Sequence, residues 1–340
     1  MGDIITALQS GRYDLSNTAV AITQTGGQCR ATNYISQIKA GLAGAGFDQI
    51  PVIVLSGGKV FQNEQPGFHI PLRKLLNITT YALLYADSLQ QMYNSVIVRE
   101  QQKGTTQALF DQYVAQGIEA VRANRASQLL ELMQSAVQDF NAIPVFDREY
   151  PCIGLIGEIY VKYNHYGQAY TTEWLRNKGI DVVTPPILDF LMQYFVNTSV
   201  NEANGLERGG MISHLLRSAF WTYLNVRIRR IDRILQNFRY YRPSASIFTK
   251  AQYASEILDL SNQFGEGWML AAEVAHFARQ GITKIVCVQP FGCIANHIVA
   301  KGIEKRLKKF YPNIDLLYLD IDGGMAEVNL QNRLHFMLEA

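Results

Sequence analysis

One pattern constrains the fold of this chain more than any other: strand, glycine turn, cysteine, helix and strand, in that order. Its clearer copy begins at residues 284–289 (KIVCVQ), an apolar run typical of a strand buried on both faces of a parallel sheet. A Pro-Phe-Gly turn at 290–292 ends the strand, and Cys293 then opens a stretch with apolar residues at helical spacing up to residue 311. Another apolar run at 316–319 predicts the next strand. Cys293 is therefore expected at the carboxyl end of the sheet, where open α/β sheets bind their ligands.

The same pattern occurs once more, near the start of the chain. Residues 18–24 predict a strand, a glycine turn follows, Cys29 opens a helix through Ala43, and residues 51–55 predict the second strand. Pro51 follows Cys29 by 22 positions, and Asp315, just before the second strand of the other copy, follows Cys293 by the same number. Each copy thus places one thiol at the N-terminus of a helix, a position that lowers the pKa of a thiol. The two copies predict a pair of matched half-sites.

A second domain begins where residues 148–151 break a long helical pattern. Beyond them, the strand-helix-strand order of residues 152–184 predicts a parallel sheet with a right-handed crossover. A chain of 340 residues is long enough for two hydrophobic cores. We therefore expect an α/β protein of two Rossmann-like domains with parallel sheets flanked by helices. Residues 1–147 form the first, with a long helical extension, and residues 148–340 form the second, with a helical insertion.

Composition argues against several classes of partner and compartment. The net charge is +2 and no basic run is interleaved with aromatic residues, so no nucleic-acid partner is expected. No apolar run reaches the ~18 residues of a membrane span, and no secretory leader opens the sequence. The four cysteines form no CxxC pair, which is typical of a cytoplasmic protein with reduced thiols. The sequence motifs of kinases, serine hydrolases and simple dehydrogenases are missing as well.

Cys29 and Cys293 are the candidate metal ligands. Their thiolates could bind iron or zinc; the alternative is that each is a small buried residue at a tight turn. Glycine on the N-terminal side, at Gly26, Gly27 and Gly292, favours a bound cofactor, since glycine lets a bulky ligand approach the backbone. The other two cysteines lie in predicted strands and are expected to be structural: Cys152 and Cys287.

Three further residues could carry chemistry near these turns. Glu158 follows a glycine at the carboxyl end of a strand and is the best acid–base candidate. His297 lies one helical turn after Cys293 and is a candidate ligand or proton donor, with a surface histidine as the alternative. Arg30 could bind phosphate or carboxylate, or lower the pKa of the neighbouring thiol; a solvated surface arginine is the alternative.

Three segments carry a resemblance to a known family: QTGGQCRATNY at 24–34, GEIYVKYN at 157–164 and QPFGC at 289–293. In this order they resemble the 2-hydroxyacyl-CoA dehydratase superfamily, and they are most similar to the dehydratase-like region of large CoA-substrate-specific enzyme activases. The resemblance covers nearly the whole chain. It implies neighbouring Rossmann-like domains whose cysteines hold an iron–sulfur cluster, usually four-iron four-sulfur (4Fe-4S). It also implies an ATP-hydrolysing activase that delivers one low-potential electron to the cluster.

For this sequence, the resemblance implies that Cys29 and Cys293 are cluster ligands. It also implies a third cysteine ligand ahead of Cys29, and these residues do not contain it. Either the chain is a piece of a longer one, as its opening within a helical pattern indicates, or the cluster is lost. No ATP-binding motif of an activase is visible, so that region is expected elsewhere in the polypeptide or on a partner.

We therefore predict an iron–sulfur electron-transfer or reductase module that works with an ATP-dependent activase. An acyl-CoA is the candidate substrate, dehydration of a 2-hydroxyacyl-CoA is the candidate reaction, and a dimer is left open. The predicted catalytic groups are Glu158 and His297. Two alternatives without a cluster stay open: a non-catalytic module that docks an activase to its target, and a small-ligand-binding protein of two lobes.

Overall fold

The computed structural model describes residues 1–24, 29, 33–56 and 72–339. The chain divides into two compact units, Met1–Ile70 and Pro71–Ala340. The protein is mixed α/β, with parallel sheets flanked by helices, which confirms the predicted class at this level. Within the described segments, none of the helices combines the length and the apolar character needed to cross a membrane.

The first unit contains one strand-helix-strand crossover that follows a short N-terminal helix. Its elements are α1 (Gly2–Gln9), β1 (Val20–Gln24), α2 (Tyr34–Gly44) and β2 (Val52–Ser56). The two strands pair in parallel, as the first copy of the sequence pattern predicts. The helix begins at Tyr34, however, and not at Cys29 as expected. The helices and strands of this unit share one small core, whose buried side chains are Leu8, Ile38, Leu42, Ile50 and Val52.

The second unit is built on a four-stranded parallel sheet. Its strands are β3 (Cys152–Gly157), β4 (Asp181–Val183), β5 (Lys284–Pro290) and β6 (Asp315–Ile321), in the order β4-β3-β5-β6. All four strands were predicted from their apolar runs. The register places Gly157 opposite Val288 and Gln289 opposite Asp320. The carboxyl ends of β3, β5 and β6 therefore form one edge of the sheet.

Helices cover both faces of this sheet. The helices of this unit are α3 (Leu72–Ile97), α4 (Thr105–Arg122), α5 (Ala126–Ala142), α6 (Ile159–Tyr163), α7 (Thr171–Asn177), α8 (Ile187–Ala203), α9 (Met211–Leu235), α10 (Ile247–Ser255), α11 (Trp268–Arg279), α12 (Glu304–Phe310) and α13 (Glu327–Glu339). Successive residues of β5 enter opposite cores: Ile285 and Cys287 join the larger one, Val286 and Val288 the smaller. Burial on both faces explains why the strand is an unbroken apolar run.

The helices α3, α4 and α5 pack within the second unit, although the sequence predicts that they extend the first domain. Met92 of α3 and Phe140 of α5 are fully buried in the same core as the sheet. The sequence also predicts one helix over residues 105–142, and the structure has two. Asn124 adopts a left-handed backbone conformation, with a φ of 54°, which a right-handed helix cannot continue.

The helical segment after β5 also differs from the prediction of one helix from Cys293 to residue 311. A π-helix occupies Ala295–Ala300, and α12 begins only at Glu304. Cys293 lies just before the π-helix, in the turn that leaves β5. A π-helix has wider turns than an α-helix and is frequent at functional sites. The segment that carries Cys293 and His297 is thus the irregular part of this crossover.

Candidate functional site

The predicted site residues of the second unit meet at the carboxyl edge of the four-stranded sheet. Glycine makes this edge compact, because β3 and β5 approach each other closely at Gly157. Its φ is 134°, and a Cβ there would lie 1.9 Å from the carbonyl oxygen of Val288. That oxygen accepts a hydrogen bond from the Glu158 N–H at 3.0 Å. Only glycine fits this position, so the backbone fixes where Glu158 leaves the strand.

Cys293 presents a half-buried thiol at this edge. The side-chain amide of Asn296 donates a hydrogen bond to its Sγ at 3.2 Å. The Oδ1 atom of the same amide accepts from the Cys287 thiol, with 3.3 Å between the two heavy atoms. Asn296 is fully buried, so its orientation is set by the two sulfur atoms. One asparagine therefore connects the half-buried cysteine of the turn with the buried cysteine of the strand.

The thiol of Cys293 is less acidic than its place before a helix predicts. Burial raises the pKa of Cys293 above its ordinary value, and the hydrogen bonds from Asn296 lower it by less. The expected effect of the helix N-terminus is thus outweighed by the loss of solvent. A positive group that binds the sulfur would reverse this balance, since metal ligation requires the deprotonated thiolate.

His297 holds the turn around Cys293 in place. Its Nδ1 accepts a hydrogen bond from the backbone N–H of Gly292 at 3.1 Å. Its Nε2 lies 2.5 Å from Oδ1 of Asp320. Because Nδ1 accepts, the hydrogen of the neutral ring is on Nε2, which donates to the carboxylate. Both ring nitrogens are therefore engaged within the protein, on the two sides of the turn.

Asp320 is the ionised centre of this network. Its carboxylate accepts hydrogen bonds from Gln289 at 2.5 Å, from His297 and from Lys301 at 3.0 Å. Burial alone would raise the pKa of Asp320, but the three donors outweigh it and lower the pKa to about 2. The carboxylate is thus negative at neutral pH. It fixes the ends of β5 and β6 relative to the π-helix.

Two carboxyl groups share the N-terminus of α6. Glu158 caps the helix, with its Oε2 accepting from the Val161 N–H at 2.9 Å. Glu266 is almost fully buried, and its Oε1 accepts from the Ile159 N–H at 2.6 Å. Burial, followed by the nearby charge of Glu158, raises the pKa of Glu266 to about 7. One of the two groups therefore exchanges its proton near neutral pH.

Glu266 is a site residue that the sequence analysis did not single out. The available signal was local: one acidic residue between two glycines, directly ahead of the apolar helix α11. Both glycines have positive φ, 58° at Gly265 and 44° at Gly267. This backbone turns the carboxylate inward towards α6. Sequence spacing gives no indication of that contact, because Ile159 lies more than one hundred residues away.

The structure brings together four of the residues predicted from sequence. Gly292, Cys293 and His297 are in direct contact or adjacent, and Glu158 lies at the same edge. Cys29 belongs to the first unit, where it is half-buried. Three other predicted residues lie outside the described part of the chain: Gly26, Gly27 and Arg30.

The remaining two cysteines lie in strands, as predicted. Cys287 is buried within β5. Cys152 opens β3, at the amino end of the sheet, beside Asp181 and Arg242. A seven-residue strand such as β5 spans roughly 20 Å, so Cys152 lies at the far end of the sheet from Cys293. Cys152 is therefore not placed to share a ligand with Cys293, whereas Cys287 contacts the same side chain, Asn296, as Cys293 does.

The donor set supports one thiolate ligand in this unit. Cys293 is partly accessible and has an N–H donor at its sulfur, as cluster-bound cysteines do. Among the described residues, no group of three or more His, Cys, Asp or Glu side chains is arranged to hold a metal ion. A four-iron cluster usually takes four thiolates, so Cys293 and Cys29 would supply only part of the ligation. The chain matches no family model, no curated protein and no solved structure.

Proposed function

We propose that this chain is an iron–sulfur electron-transfer module of the 2-hydroxyacyl-CoA dehydratase type. Cys29 and Cys293 would each supply one thiolate from one of two Rossmann-like domains, and an ATP-dependent activase would be the electron donor. The observation that carries the proposal is the position of the Cys293 thiol and the hydrogen bond that its sulfur accepts. Cys293 has a partly accessible thiol with an amide donor at its sulfur, at the sheet edge where α/β proteins bind ligands.

The surrounding residues would keep the thiolate in a fixed place. The N–H groups of Asn296 point at the sulfur and stabilise negative charge on it. His297 and Asp320 hold the backbone of the turn through Gly292. When bound, the cluster would supply a single low-potential electron. Cys293 is thus held by contacts that do not depend on the cofactor.

Glu158 and His297 stay the predicted acid–base groups, and the structure suggests different tasks for them. Both nitrogens of His297 are engaged, which favours a positioning task. Glu158 has Glu266 beside it, and within the described part of the chain Oε2 of Glu158 accepts one backbone N–H, that of Val161. A proton held by this pair near neutral pH could be passed to a substrate such as an acyl-CoA.

The test is an anaerobic purification of the chain, with iron and sulfide analysis and a visible absorption spectrum. We expect iron and sulfide in the unmodified protein and a loss of most of both in Cys293→Ser and Cys29→Ser. Cys152→Ser is the matched control, because Cys152 lies at the other end of the sheet. That variant should keep the iron content of the unmodified protein.

Two results would contradict the proposal. One is a protein without iron after reconstitution with ferrous iron and sulfide under reducing conditions. The other is an iron content that is the same in Cys293→Ser and in Cys152→Ser. Either result would favour a module without a cluster, and binding of an activase to both cysteine variants would then identify a docking function.

A further inference from the structure

The second unit contains a cavity that is separate from the sheet edge. Its volume is about 430 Å³, within the usual size of a small-molecule site. It lies between α3, α8, α9 and α11 and the segments that follow β3 and β4. Cys293 and its network do not take part in the lining. The cavity therefore has to be explained on its own.

One part of the wall is apolar. It is formed by side chains of four helices: Leu84, Leu188, Met192, Trp221, Leu235 and Phe277. Most of these side chains belong to the main core of the unit. Their positions are therefore set by packing and do not require a ligand. An apolar group that fills this part of the cavity would gain roughly 25 cal/mol for each Å² that it buries.

Two lysines of the lining are neutralised by their own carboxylates. Lys162 Nζ lies 2.9 Å from Oε1 of Glu273, and both side chains are buried. Lys250 is ion-paired with Asp189 and also donates to Ser244 at 2.8 Å. Each of these pairs contributes no net charge to the cavity. They do not attract an ion of either sign.

Arg176 has no such partner. Among the described residues, no carboxylate lies within ion-pair distance of its guanidinium, which donates to Oδ1 of Asn94 and stacks over Tyr93 at 4.9 Å. Its Nε is buried, and no described group accepts a hydrogen bond from it. A half-buried guanidinium that has an N–H group without an acceptor is well suited to bind an anion.

Arg242 adds positive charge at the same end of the cavity. Its Nη2 lies 2.7 Å from Oδ2 of Asp181, and Arg99 binds the same oxygen at 2.8 Å. One carboxylate thus serves two guanidinium groups. Arg176 interacts electrostatically with Glu173 and with Asp181. Three arginines therefore face two acids, which leaves one positive charge at this end of the cavity.

The other acids of the lining do not cancel this charge in full. Asp87 accepts from the Ile187 and Leu188 N–H groups at 3.0 and 3.1 Å, and burial raises the pKa of Asp87 to about 7. Asp232 accepts from the Tyr241 hydroxyl at 3.1 Å, and burial raises its pKa as well. Both acids therefore carry less negative charge than an exposed aspartate would at the same pH.

We propose that this cavity binds a small amphiphilic carboxylate, with the carboxylate on Arg176 and Arg242 and the apolar body against the wall formed by Leu188, Leu235 and Phe277. The site does not depend on the proposed cluster. A guanidinium donates two parallel N–H bonds to a carboxylate, and the apolar wall has no polar group to offer the rest of the ligand.

Binding of hexanoate and benzoate to the whole chain tests this inference, with hexanamide and benzamide as neutral probes of the same shape. Isothermal titration calorimetry should show that at least one of the carboxylates binds about tenfold more tightly than its amide, because only the carboxylate gains charge-assisted hydrogen bonds. Arg176→Gln should remove this preference. Arg230→Gln is the matched control: Arg230 is exposed on α9, lies outside the cavity and should leave binding unchanged.

The comparison of acid and amide in the unmodified protein needs no variant, so it decides the matter even if Arg176→Gln does not fold. Equal affinity for acid and amide, or no binding of either carboxylate, would overturn the inference. Tighter binding of inorganic phosphate than of both carboxylates would overturn the ligand class. Because iron content is measured separately, a failure here is distinguishable from a failure of the proposed electron-transfer function.

Discussion

At the N-terminus of α6, burial decides the pKa of one glutamate side chain. Glu158 and Glu266 are both glutamates, and each accepts one backbone N–H of the same short helix. Only Glu266 is held away from solvent, and its pKa rises to about 7. Burial therefore raises the pKa of Glu266 into the neutral range, where its titration can be measured.

We predict that Glu266 makes the stability of the protein depend on pH. Its pKa is raised from 4.5 to about 7 on folding, so between these values the folded state binds more protons than the unfolded state. The free energy of unfolding must then fall as the pH rises through this window, by up to about 3 kcal/mol. Glu266→Gln, whose amide oxygen can still accept from the Ile159 N–H, should remove this part of the pH dependence.

Urea unfolding at a series of pH values between 4 and 8 measures the effect as a difference between the variant and the unmodified protein. Asp87 titrates in the same direction and His276, whose pKa burial lowers to about 4, in the opposite one. Both groups are present in the two proteins and cancel in the difference. Glu131→Gln, at an exposed position of α5, is the control. Parallel pH profiles for the unmodified protein and Glu266→Gln would refute the prediction.

At the scale of the elements, the close pairing of β3 with β5 decides the shape of the site. Gly157 ends β3 with a positive φ and lets its backbone meet Val288. The turn after β5 and the π-helix then carry Cys293 and His297 to the same edge. The glycine at 157 was expected from sequence as a strand end. Its close approach to the neighbouring strand was not, because the sequence does not show which strands are neighbours.

Gly157→Ala should destabilise the protein by about 3 kcal/mol or more. Its new Cβ would lie 1.9 Å from a backbone oxygen, and φ is 134°, so both the clash and the backbone strain act. Gly179→Ala is the matched control: Gly179 also has a positive φ, 76°, but a Cβ there meets nothing within 4 Å. It should cost only about 1 kcal/mol. Equal losses in urea unfolding would show that the approach of β3 to β5 is not tight.

At the scale of the whole second unit, one buried acid joins three distant parts of the chain. Asp181 opens β4 and is fully buried, and it pairs with Arg99, which follows α3, and with Arg242, which follows α9. Arg99 also packs over the rings of Tyr150 and Tyr240, at 5.0 and 4.6 Å. The helices α3 and α9 are thus tied to the edge strand of the sheet through one carboxylate.

Asp181→Asn should cost roughly 3–5 kcal/mol of unfolding free energy, because it leaves two guanidinium groups without their buried counter-charge. Glu119→Gln is the control. It removes a surface ion pair with Arg122, in which both side chains are more than half exposed, and such pairs contribute little. Chemical unfolding of both variants gives the comparison. A loss of less than 1 kcal/mol in Asp181→Asn would mean that the three segments are held by apolar packing alone.

Local sequence patterns were sufficient for part of this structure. The apolar runs before Gly157 and Gly292 are strands, and the crossover between β5 and β6 is parallel, as predicted. Cys293 lies at the carboxyl edge of the sheet, where the pattern put it. The sequence predicts a lowered pKa for its thiol, whereas the structure raises it. The helix terminus is a local feature of the sequence, but the burial that raises the pKa of Cys293 depends on the tertiary structure. The juxtaposition of Cys293 with Cys29 stays a prediction.

What the sequence determined by itself is the series of strands and turns, because apolar periodicity and glycine or proline stops act over a few neighbouring residues. What only the tertiary structure decided is which polar groups meet. Glu266 reaches the start of α6, and Arg242 shares Asp181 with Arg99, across separations of sixty residues or more. Such contacts depend on the packing of every helix between them, so no short stretch of sequence can specify them.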